Sequence, residues 1–358
     1  MGASLAEFVA RGRISHDCLA TFLPLRAGGS TRVGRPPFGR GLQQERQLRA
    51  NWSIIVHGGA GTWAAEAHAE ALAGVTRAVA EAARILAAGA SAADAVCAAA
   101  CILEDDPTFN SGTGSSPNID GLCEMDACLM LGHELRAGGI ANVQRVRNPI
   151  LVARKVLEET DHALLAGEGA NRFARALGFA DYDPTTPASR ALYAERIALL
   201  RAEGEAWMPR HSALVDKYPA LFRGTIGAVA LDRHGHLAAA TSTGGVLLRL
   251  AGRVGDVPIP GAGTYASATG AASATGRGEY CIRTLTTKSV CDRIAAGMSA
   301  ADAARATLDE VNRLVGPDTG MIVADLAGRV AAVHATEAMP HAFATSEDPS
   351  PTARMVAP

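Results

Sequence analysis

The chain has 358 residues, a length that favours one large domain or two modest ones. Apolar residues make up 48 % and charged residues 20 %, which is typical of a globular protein with a buried core and excludes wholesale disorder. The net charge of −2 and the pI near 6.6 argue against a generally basic nucleic-acid binder. We therefore expect no nucleic-acid partner. No apolar run reaches the roughly 18 residues of a membrane span, so we expect no membrane partner either.

The first 50 residues differ from the rest of the chain. They carry eight Arg and only three acidic residues, and neither a helical nor a strand period persists in them. We predict a disordered N-terminal extension over residues 1–50, or a wrongly assigned start; an organelle transit peptide is the alternative. The chain's seven cysteines form no Cys-x-x-Cys pair, so we expect buried thiols in a reducing, cytoplasmic compartment rather than a zinc site or a disulfide framework.

The ordered part begins with a short apolar strand at residues 53–56, followed by a glycine-rich turn at residues 57–61. A helix follows over residues 64–88, and Ser91 with Asp94 reads as a capping box that opens a second helix, which Pro107 ends. A module of the same construction recurs near Arg293, with a helix, a glycine stop and a second capping box. We therefore expect two helix pairs of like construction, one in each half of the chain.

Strand patterns lie between these helix pairs. Residues 122–130 and 135–142 predict a hairpin, and helices follow over residues 148–159 and 169–177. Residues 181–224 are polar and interrupted by prolines, which predicts a long surface connection with one helical stretch at 189–203. Strands follow over residues 225–232 and 236–243, and a final hairpin over residues 321–325 and 329–334. This order predicts an α+β protein with a mainly antiparallel sheet core covered by helices.

Several common sites are absent from the sequence. The glycine-rich turn lacks the spacing of a dinucleotide or phosphate loop, so it predicts a tight turn or one that lines a polar pocket. The ten His form no metal pair on a helix. The chain also has no Gly-x-Ser-x-Gly motif, which argues against an ordinary serine hydrolase.

Thr225 is the unusual feature. It follows Gly224 at the end of the long polar connection and opens an apolar strand. Threonine commonly favours strands and glycine favours turns, so the pair has a simple structural explanation too. If the chain is cut before Thr225, however, its hydroxyl becomes an N-terminal nucleophile. Its α-amine, with a reference pKa of about 7.7–8.0, can then act as the general base.

The sequence around Thr225 resembles the plant-type (class 2) L-asparaginases, which are isoaspartyl aminopeptidases of the N-terminal nucleophile (Ntn) hydrolase superfamily. The resemblance covers residues 54–339. The matching motifs are HGGAG at 57–61, FNSGTG at 109–114, EMDAC at 124–128, RNP at 147–149, GEG at 167–169, GTIGAVALD at 224–232, LAAATSTGG at 237–245, GRVGD at 252–256, GAG at 261–263 and TGRGE at 275–279. So many matches in order leave little room for chance.

The resemblance implies a four-layer αββα sandwich and a precursor that cleaves itself between Gly224 and Thr225. Residues 51–224 would then form an α chain, with 181–224 as a flexible linker, and residues 225–358 a β chain of the same domain. The implied activity is hydrolysis of the side-chain amide of L-asparagine or the isopeptide bond of β-aspartyl dipeptides. It requires no catalytic cofactor, and family members usually form a dimer of αβ units.

The resemblance also assigns roles to individual residues. These are Thr225 as nucleophile, Thr243 as the hydroxyl that orients it, Thr275 and the Gly276 N–H as the oxyanion hole, Arg253 and Asp256 as the pair that binds the α-carboxylate and α-ammonium, and Gly278 and Asn110 as further substrate-binding residues. A structural sodium ion is implied on backbone carbonyls of Leu103, Glu104, Asp106, Phe109, Ser111 and Thr113.

Three positions depart from the family pattern. Arg277 stands where a small residue is expected, residues 246–248 (Val-Leu-Leu) replace a more polar stretch, and Leu131 replaces an expected Asp. These departures put the substrate in question more than the reaction. A glycosylasparaginase-like enzyme, a threonine protease of the same superfamily and an unprocessed ligand-binding protein are the alternative interpretations.

Overall fold

The structure, a computed structural model, describes residues 51–202 and 224–357. The predicted N-terminal extension at 1–50 and most of the second half of the predicted linker therefore lie outside the described residues. The helices are α1 (His68–Ala87), α2 (Ala92–Asp105), α3 (Pro149–Glu159), α4 (Gly167–Ala176), α5 (Pro187–Ala202), α6 (Gly278–Thr284), α7 (Thr286–Ala295) and α8 (Ala300–Val315).

The strands form two sheets. In chain order they are β1 (Ser53–His57), β2 (Met125–Leu131), β3 (Arg136–Val143), β4 (Leu164–Ala166), β5 (Ile226–Leu231), β6 (Leu237–Thr243), β7 (Thr264–Ala266), β8 (Gly270–Gly276), β9 (Thr319–Asp325), β10 (Val330–His334), β11 (His341–Thr345) and β12 (Thr352–Arg354). Sheet 1 has the order β12-β11-β1-β5-β6-β2-β3-β4, and sheet 2 has the order β10-β9-β8-β7. Every pairing is antiparallel except that of β3 with β4.

The two sheets pack face to face between two layers of helices. One core cluster joins α1, α2 and α3 to the outer face of sheet 1, a second lies between the sheets, and a third joins α7 and α8 to sheet 2. Strand residues alternate between these clusters: in β1, Ile54 and Val56 face the helices, whereas Ile55 faces sheet 2. The predicted α+β class and αββα sandwich are therefore confirmed.

The strand that follows Thr225 lies at the centre of sheet 1. β5 pairs with β1 on one side and with β6 on the other, and β6 pairs in turn with β2. Residues from before and after Gly224 thus share one sheet, so a cut at that position would leave the two pieces joined by continuous strand pairing.

Local signals located most helices correctly. Ser91 and Ser299 cap α2 and α8, each accepting a hydrogen bond from the backbone N–H of the Asp three residues on, as the capping boxes predict. The predicted hairpin of β9 and β10 also forms. It is not the last one, however, because β11 and β12 follow, and β11 pairs with β1 from the opposite end of the chain. Short β4 and β7 and helix α6 were also missed, since they are too brief to show a period. The longer β8 was missed as well, because its sequence of Gly, Ala, Ser and Thr shows no alternation of large apolar and polar residues.

A buried polar bridge crosses the space between the sheets. His57 Nε2 lies 2.9 Å from Ser273 Oγ, and Thr241 Oγ1 lies 2.8 Å from the same oxygen. His57 and Thr241 belong to sheet 1 and Ser273 to sheet 2. Burial lowers the pKa of His57 to about 3, so the imidazole is neutral at physiological pH. The bridge joins the two sheets immediately below the start of β5.

We expect Ser273→Ala to lower the free energy of unfolding by about 1–3 kcal/mol, because it leaves buried polar groups of His57 and Thr241 without that partner. Urea unfolding of the variant beside the wild type measures the difference. Exposed Ser350→Ala is the control. Equal midpoints for Ser273→Ala and Ser350→Ala would show that the bridge adds nothing to stability.

In the part of the chain that the structure describes, no helix combines the length and the apolar character that a membrane crossing requires. All six cysteines in these ranges are free thiols, five of them buried. Burial raises the pKa of each above its usual range, most simply because a thiolate is poorly solvated there.

Candidate active site

The structure places Thr225 beside Thr243. Ile226 pairs with Ser242 across β5 and β6, so the preceding and following residues, Thr225 and Thr243, lie opposite each other at the same sheet edge. Thr225 is 8 % exposed, and its hydroxyl donates a hydrogen bond of 3.2 Å to Thr243 Oγ1. The Gly245 N–H donates to the same oxygen at 3.0 Å. The predicted orienting contact is present.

Two glycines allow an unusually close backbone approach at this point. A Cβ on Gly59 would lie 2.4 Å from the Cα of Gly224, and a Cβ on Gly224 would lie 2.5 Å from the Cα of Gly59. Gly59 also has a φ of +111°, which disfavours any residue with a side chain. The glycine-rich turn after β1 therefore presses directly against the Gly224–Thr225 segment.

Thr275 lies behind the same segment. Its Oγ1 accepts a hydrogen bond of 3.1 Å from the Ala60 N–H, and it would lie 2.8 Å from a Cβ on Gly224. Gly276 follows at the end of β8 with a φ of +106° and lies against the Asp318 carbonyl, where a Cβ would come within 2.3 Å. The hydroxyl and backbone amide predicted as the oxyanion hole thus belong to a tightly held turn next to Thr225.

A cavity opens in front of Thr225. It is lined by Ala60, Gly224, Thr225, Thr243, Gly245, Val246, Arg253, Asp256, Gly276, Arg277, Gly278 and Asp318. Most of the predicted catalytic and substrate-binding residues therefore line one cavity, although they come from several separate segments between Thr225 and Gly278.

Arg253 and Asp256 stand side by side in this cavity. Arg253 Nε donates a hydrogen bond to Glu279 Oε1 at 3.0 Å, and Nη2 forms an ion pair with the same oxygen at 2.8 Å. A Cβ on Gly278 would lie 2.8 Å from Asp256 Oδ1 and 2.9 Å from Arg253 Nη2. The glycine at 278 therefore leaves both charged groups accessible, as its predicted place in the binding site requires.

Asp256 is a buried carboxyl with an unused acceptor. It is 5 % exposed, and its Oδ2 has no hydrogen-bond partner among the described residues. Burial raises its pKa to about 6, although the Arg253 guanidinium opposes that shift. Oδ2 is enclosed against Gly263, whereas Oδ1 lies beside Gly278 on the cavity. A buried carboxylate is destabilising without partners, so Oδ1 is suited to a donor that arrives with a ligand, such as an ammonium group.

Asn110 lies behind the cavity rather than on its wall. Its Nδ2 donates 2.5 Å to the Gly245 carbonyl, its Oδ1 accepts from the Ser116 N–H, and its carbonyl accepts from the Gly244 N–H. These contacts hold the Gly244–Gly245 turn that follows Thr243. The geometry therefore supports a positioning role for Asn110 more directly than the predicted contact with substrate.

The predicted sodium-binding residues lie at the end of α2 and in the following turn. The Glu104 carbonyl accepts the Thr113 N–H at 2.7 Å, and a Cβ on Gly112 would lie 2.5 Å from that oxygen. A Cβ on Gly114 would lie 3.1 Å from the Phe109 carbonyl oxygen. Carbonyl oxygens thus face the inside of the turn at the partially negative end of a helix, and such donors suit a hard cation. The donor set fits; the ion itself stays a prediction.

Two of the departures from the family pattern have a structural explanation. Leu247 and Leu248 are buried against Leu200 on α5, so the apolar stretch at 246–248 holds the end of the predicted linker helix. Leu131 lies at the end of β2, pairing with Arg136, and does not line the cavity of Thr225. The third departure, Arg277, does line that cavity.

Some contributors were not identified from the sequence. Glu279, which holds Arg253, and Asp318, which lies against Gly276, were given no role. Ala60 contributes a backbone N–H, which leaves no signal in residue type. Glu279 does stand in the TGRGE motif, so its place beside the site had a sequence signal; Asp318 had none.

Comparison with known proteins agrees with this geometry. A family model described as Asparaginase matches residues 50–353. The plant-type L-asparaginase of Pyrococcus furiosus is 47 % identical over 297 residues, covering 81 % of this chain and 95 % of that protein. The isoaspartyl peptidase of Salmonella typhimurium is 40 % identical over 302 residues, with coverages of 82 % and 96 %. The isoaspartyl peptidase/L-asparaginase of Rattus norvegicus is 37 % identical over 297 residues, with coverages of 81 % and 85 %.

An α+β sandwich with a strand-opening threonine at its cavity defines a hydrolase of the Ntn type. More particularly, the chain belongs to the asparaginase family, since the family model spans residues 50–353 and relatives above 30 % identity cover 81–82 % of the chain.

We expect Gly59→Ala to slow cleavage between Gly224 and Thr225 at least tenfold, because a Cβ there displaces the Gly224 backbone. The measurement is the appearance of the two fragments over time on a denaturing gel. Gly178→Ala is the matched control: its φ is also positive, at +83°, but a Cβ meets nothing within 4 Å. Equal cleavage rates in both variants would contradict the role of the glycine contact.

Proposed function

We propose that the protein is an autoproteolytically activated threonine hydrolase that cleaves the side-chain amide of L-asparagine and the isopeptide bond of β-aspartyl dipeptides. One observation carries the proposal: the Thr225 hydroxyl, bonded to Thr243, faces a cavity in which an Arg and a buried Asp stand side by side. The names of the relatives, L-asparaginase and isoaspartyl peptidase, support the same substrates.

In the first step, the Thr225 hydroxyl oxygen attacks the Gly224 carbonyl carbon. The C–N bond breaks, the Thr225 nitrogen takes the proton, and an ester joins Gly224 to the Thr225 side chain. Water then hydrolyses the ester, which leaves a carboxylate on Gly224 and both a free amine and a free hydroxyl on Thr225. The glycine contact with Gly59 supports this step, because it fixes the peptide bond close to the attacking group.

In the second step, the freed Thr225 hydroxyl attacks the substrate's side-chain carbonyl. Its amine accepts the hydroxyl proton and later gives a proton to the leaving ammonia or amino acid. Thr275 and the Gly276 N–H stabilise the developing oxyanion; such donors are typically worth about 3–4 kcal/mol each. Water hydrolyses the acyl-enzyme ester and releases aspartate.

Substrate orientation follows from the two charged groups. The Arg253 guanidinium, held on one side by Glu279, presents N–H groups suited to an α-carboxylate. Asp256 supplies Oδ1, the oxygen beside Gly278, to the α-ammonium. Together they select an aspartyl group whose α-carboxylate and α-ammonium are both free, and they direct its side chain towards Thr225. The sodium ion, the dimer of αβ units and the cytoplasmic location remain predictions of the resemblance and of the cysteine pattern.

The central test is self-cleavage of the purified protein. Wild-type protein should give fragments of roughly 23 and 14 kDa, in proportion to residues 1–224 and 225–358 of the 36.8-kDa chain, and the smaller should begin at Thr225. Thr225→Ala should remain one chain and hydrolyse neither substrate. Thr225→Ser, which keeps the hydroxyl and the amine, is the matched control and should still cleave.

Two outcomes would contradict the proposal. One is a Thr225→Ala protein that still cuts itself and releases ammonia from asparagine. The other is a wild-type chain that stays whole at neutral pH and binds asparagine or aspartate without turnover, as a ligand-binding protein would. Intact-mass analysis with an ammonia-release assay separates these cases.

The pKa of Asp256 predicts a pH dependence. The amine of Thr225 must be neutral, with a reference pKa of about 7.7–8.0, and Asp256 must be ionised, with its pKa raised to about 6. As the pH falls, log(kcat/KM) should first decline with a slope of one and then, below about pH 6, with a slope of two. Both protonations weaken activity in the same direction, because one blocks the base and the other removes the charge that binds the ammonium.

The control for this profile is succinamic acid, which keeps the amide and the carboxylate but lacks the α-ammonium. Its profile should lack the lower break. If L-asparagine shows one break only, down to pH 5, Asp256 does not bind the ammonium in its ionised form.

A further inference from the structure

Arg277 is a second arginine in the cavity of Thr225. It lies between Gly276, whose N–H is assigned to the oxyanion hole, and Gly278, which leaves Arg253 and Asp256 accessible. The family pattern does not account for it, since a small residue is expected there. Its position in the chain puts it within one residue of the place where the scissile carbonyl oxygen is held.

The side chain is fixed by two neighbours. Nε of Arg277 donates to Asp318 Oδ2 at 3.0 Å, and Nη1 lies 3.4 Å from the Tyr280 hydroxyl. The guanidinium also lies over the Tyr280 ring, 4.9 Å from its centroid. These contacts use two of the three guanidinium nitrogens, which leaves the two N–H groups of Nη2 for a ligand.

The arrangement resembles that of the neighbouring Arg253. Each arginine lines the cavity with about a fifth of its side chain exposed, 19 % for Arg253 and 21 % for Arg277, and each is held from one side by a carboxylate. An arginine held in this way has a fixed guanidinium, whose remaining N–H groups can donate charge-assisted hydrogen bonds to a carboxylate. The cavity thus holds two carboxylate-binding groups and one buried carboxylate, Asp256.

Asparagine cannot match this set of charges. It has one α-carboxylate and one α-ammonium, which Arg253 and Asp256 satisfy, and its leaving group is ammonia. A β-aspartyl dipeptide has a second carboxylate, on the amino acid that leaves. That carboxylate is joined to the scissile carbonyl through only the amide nitrogen and one carbon, so it lies close to the oxyanion hole, where Arg277 follows Gly276.

We propose that Arg277 is a specificity-determining residue that binds the α-carboxylate of the leaving amino acid and so makes β-aspartyl dipeptides the preferred substrates over L-asparagine. The proposal rests on the proposed function and adds to it a subsite for the leaving group. Hydrolysis adds water across the isopeptide bond, and the amino acid released from this subsite carries the bound carboxylate away.

The test compares β-aspartyl-leucine with β-aspartyl-leucine amide, which differs only in lacking that carboxylate. In the wild type, kcat/KM for the acid should exceed that for the amide by about ten- to a hundredfold, the factor expected from a charged hydrogen bond. In Arg277→Gln the ratio should fall to about one, mainly through a higher KM for the acid. Arg283→Gln, an exposed arginine on α6, should keep the wild-type ratio.

Arg277→Lys extends the test, because it keeps the charge but loses the guanidinium that Asp318 and Tyr280 hold in place; an intermediate ratio is expected. The outcome that overturns the proposal is an acid-to-amide ratio that is the same in wild type, Arg277→Gln and Arg277→Lys. If neither variant cleaves itself, Arg277 serves maturation rather than leaving-group recognition, and the proposal is likewise overturned. Wild-type protein that hydrolyses neither compound nor asparagine would instead refute the proposed function.

Discussion

The contact between Gly59 and Gly224 is the constraint on which the site depends. The two backbones approach so closely that a Cβ on either residue would clash with the other, so both positions require glycine. The contact brings the turn after β1 against the residue before Thr225. It also sets the Ala60 N–H on the Thr275 hydroxyl, so that three separate segments are fixed around one peptide bond.

Strand alternation then decides which groups face the bond. In β5, Val229 and Leu231 point towards sheet 2, and Thr225 has the same parity. In β6, Leu237 and Ala239 face sheet 2, and Thr241 and Thr243 lie on the same face of the strand. In β8, Ala271 faces sheet 1, and Ser273 and Thr275 share that face. Thr225, Thr243 and Thr275, the proposed nucleophile, orienting hydroxyl and oxyanion residue, therefore share the space between the sheets. A one-residue slip would turn any of them towards the helices.

The cavity combines charges that would be unfavourable without a ligand. Asp256 is buried, keeps an unused oxygen and has a raised pKa, whereas Arg253 and Arg277 are each held by a carboxylate on one side only. A zwitterion offsets the desolvation of Asp256 with its ammonium and the open sides of the arginines with its carboxylates. The proposed substrates, with their free amino-acid termini, match this set of charges, whereas a residue within an ordinary peptide chain lacks both termini.

The sequence alone determined the family, the position of Thr225 after Gly224, the capped helices and the two strands β5 and β6 that follow Thr225, because these depend on local patterns and ordered motifs. It did not determine that β11 returns to pair with β1, that Leu247 and Leu248 pack on α5, or that Asn110 supports Gly245 from behind the cavity. Those relations join residues far apart in the chain, and no local period encodes them. Only the tertiary structure places Arg277 beside Asp318 and Tyr280, because the conformation of a long charged side chain is decided by the neighbours that the fold brings to it.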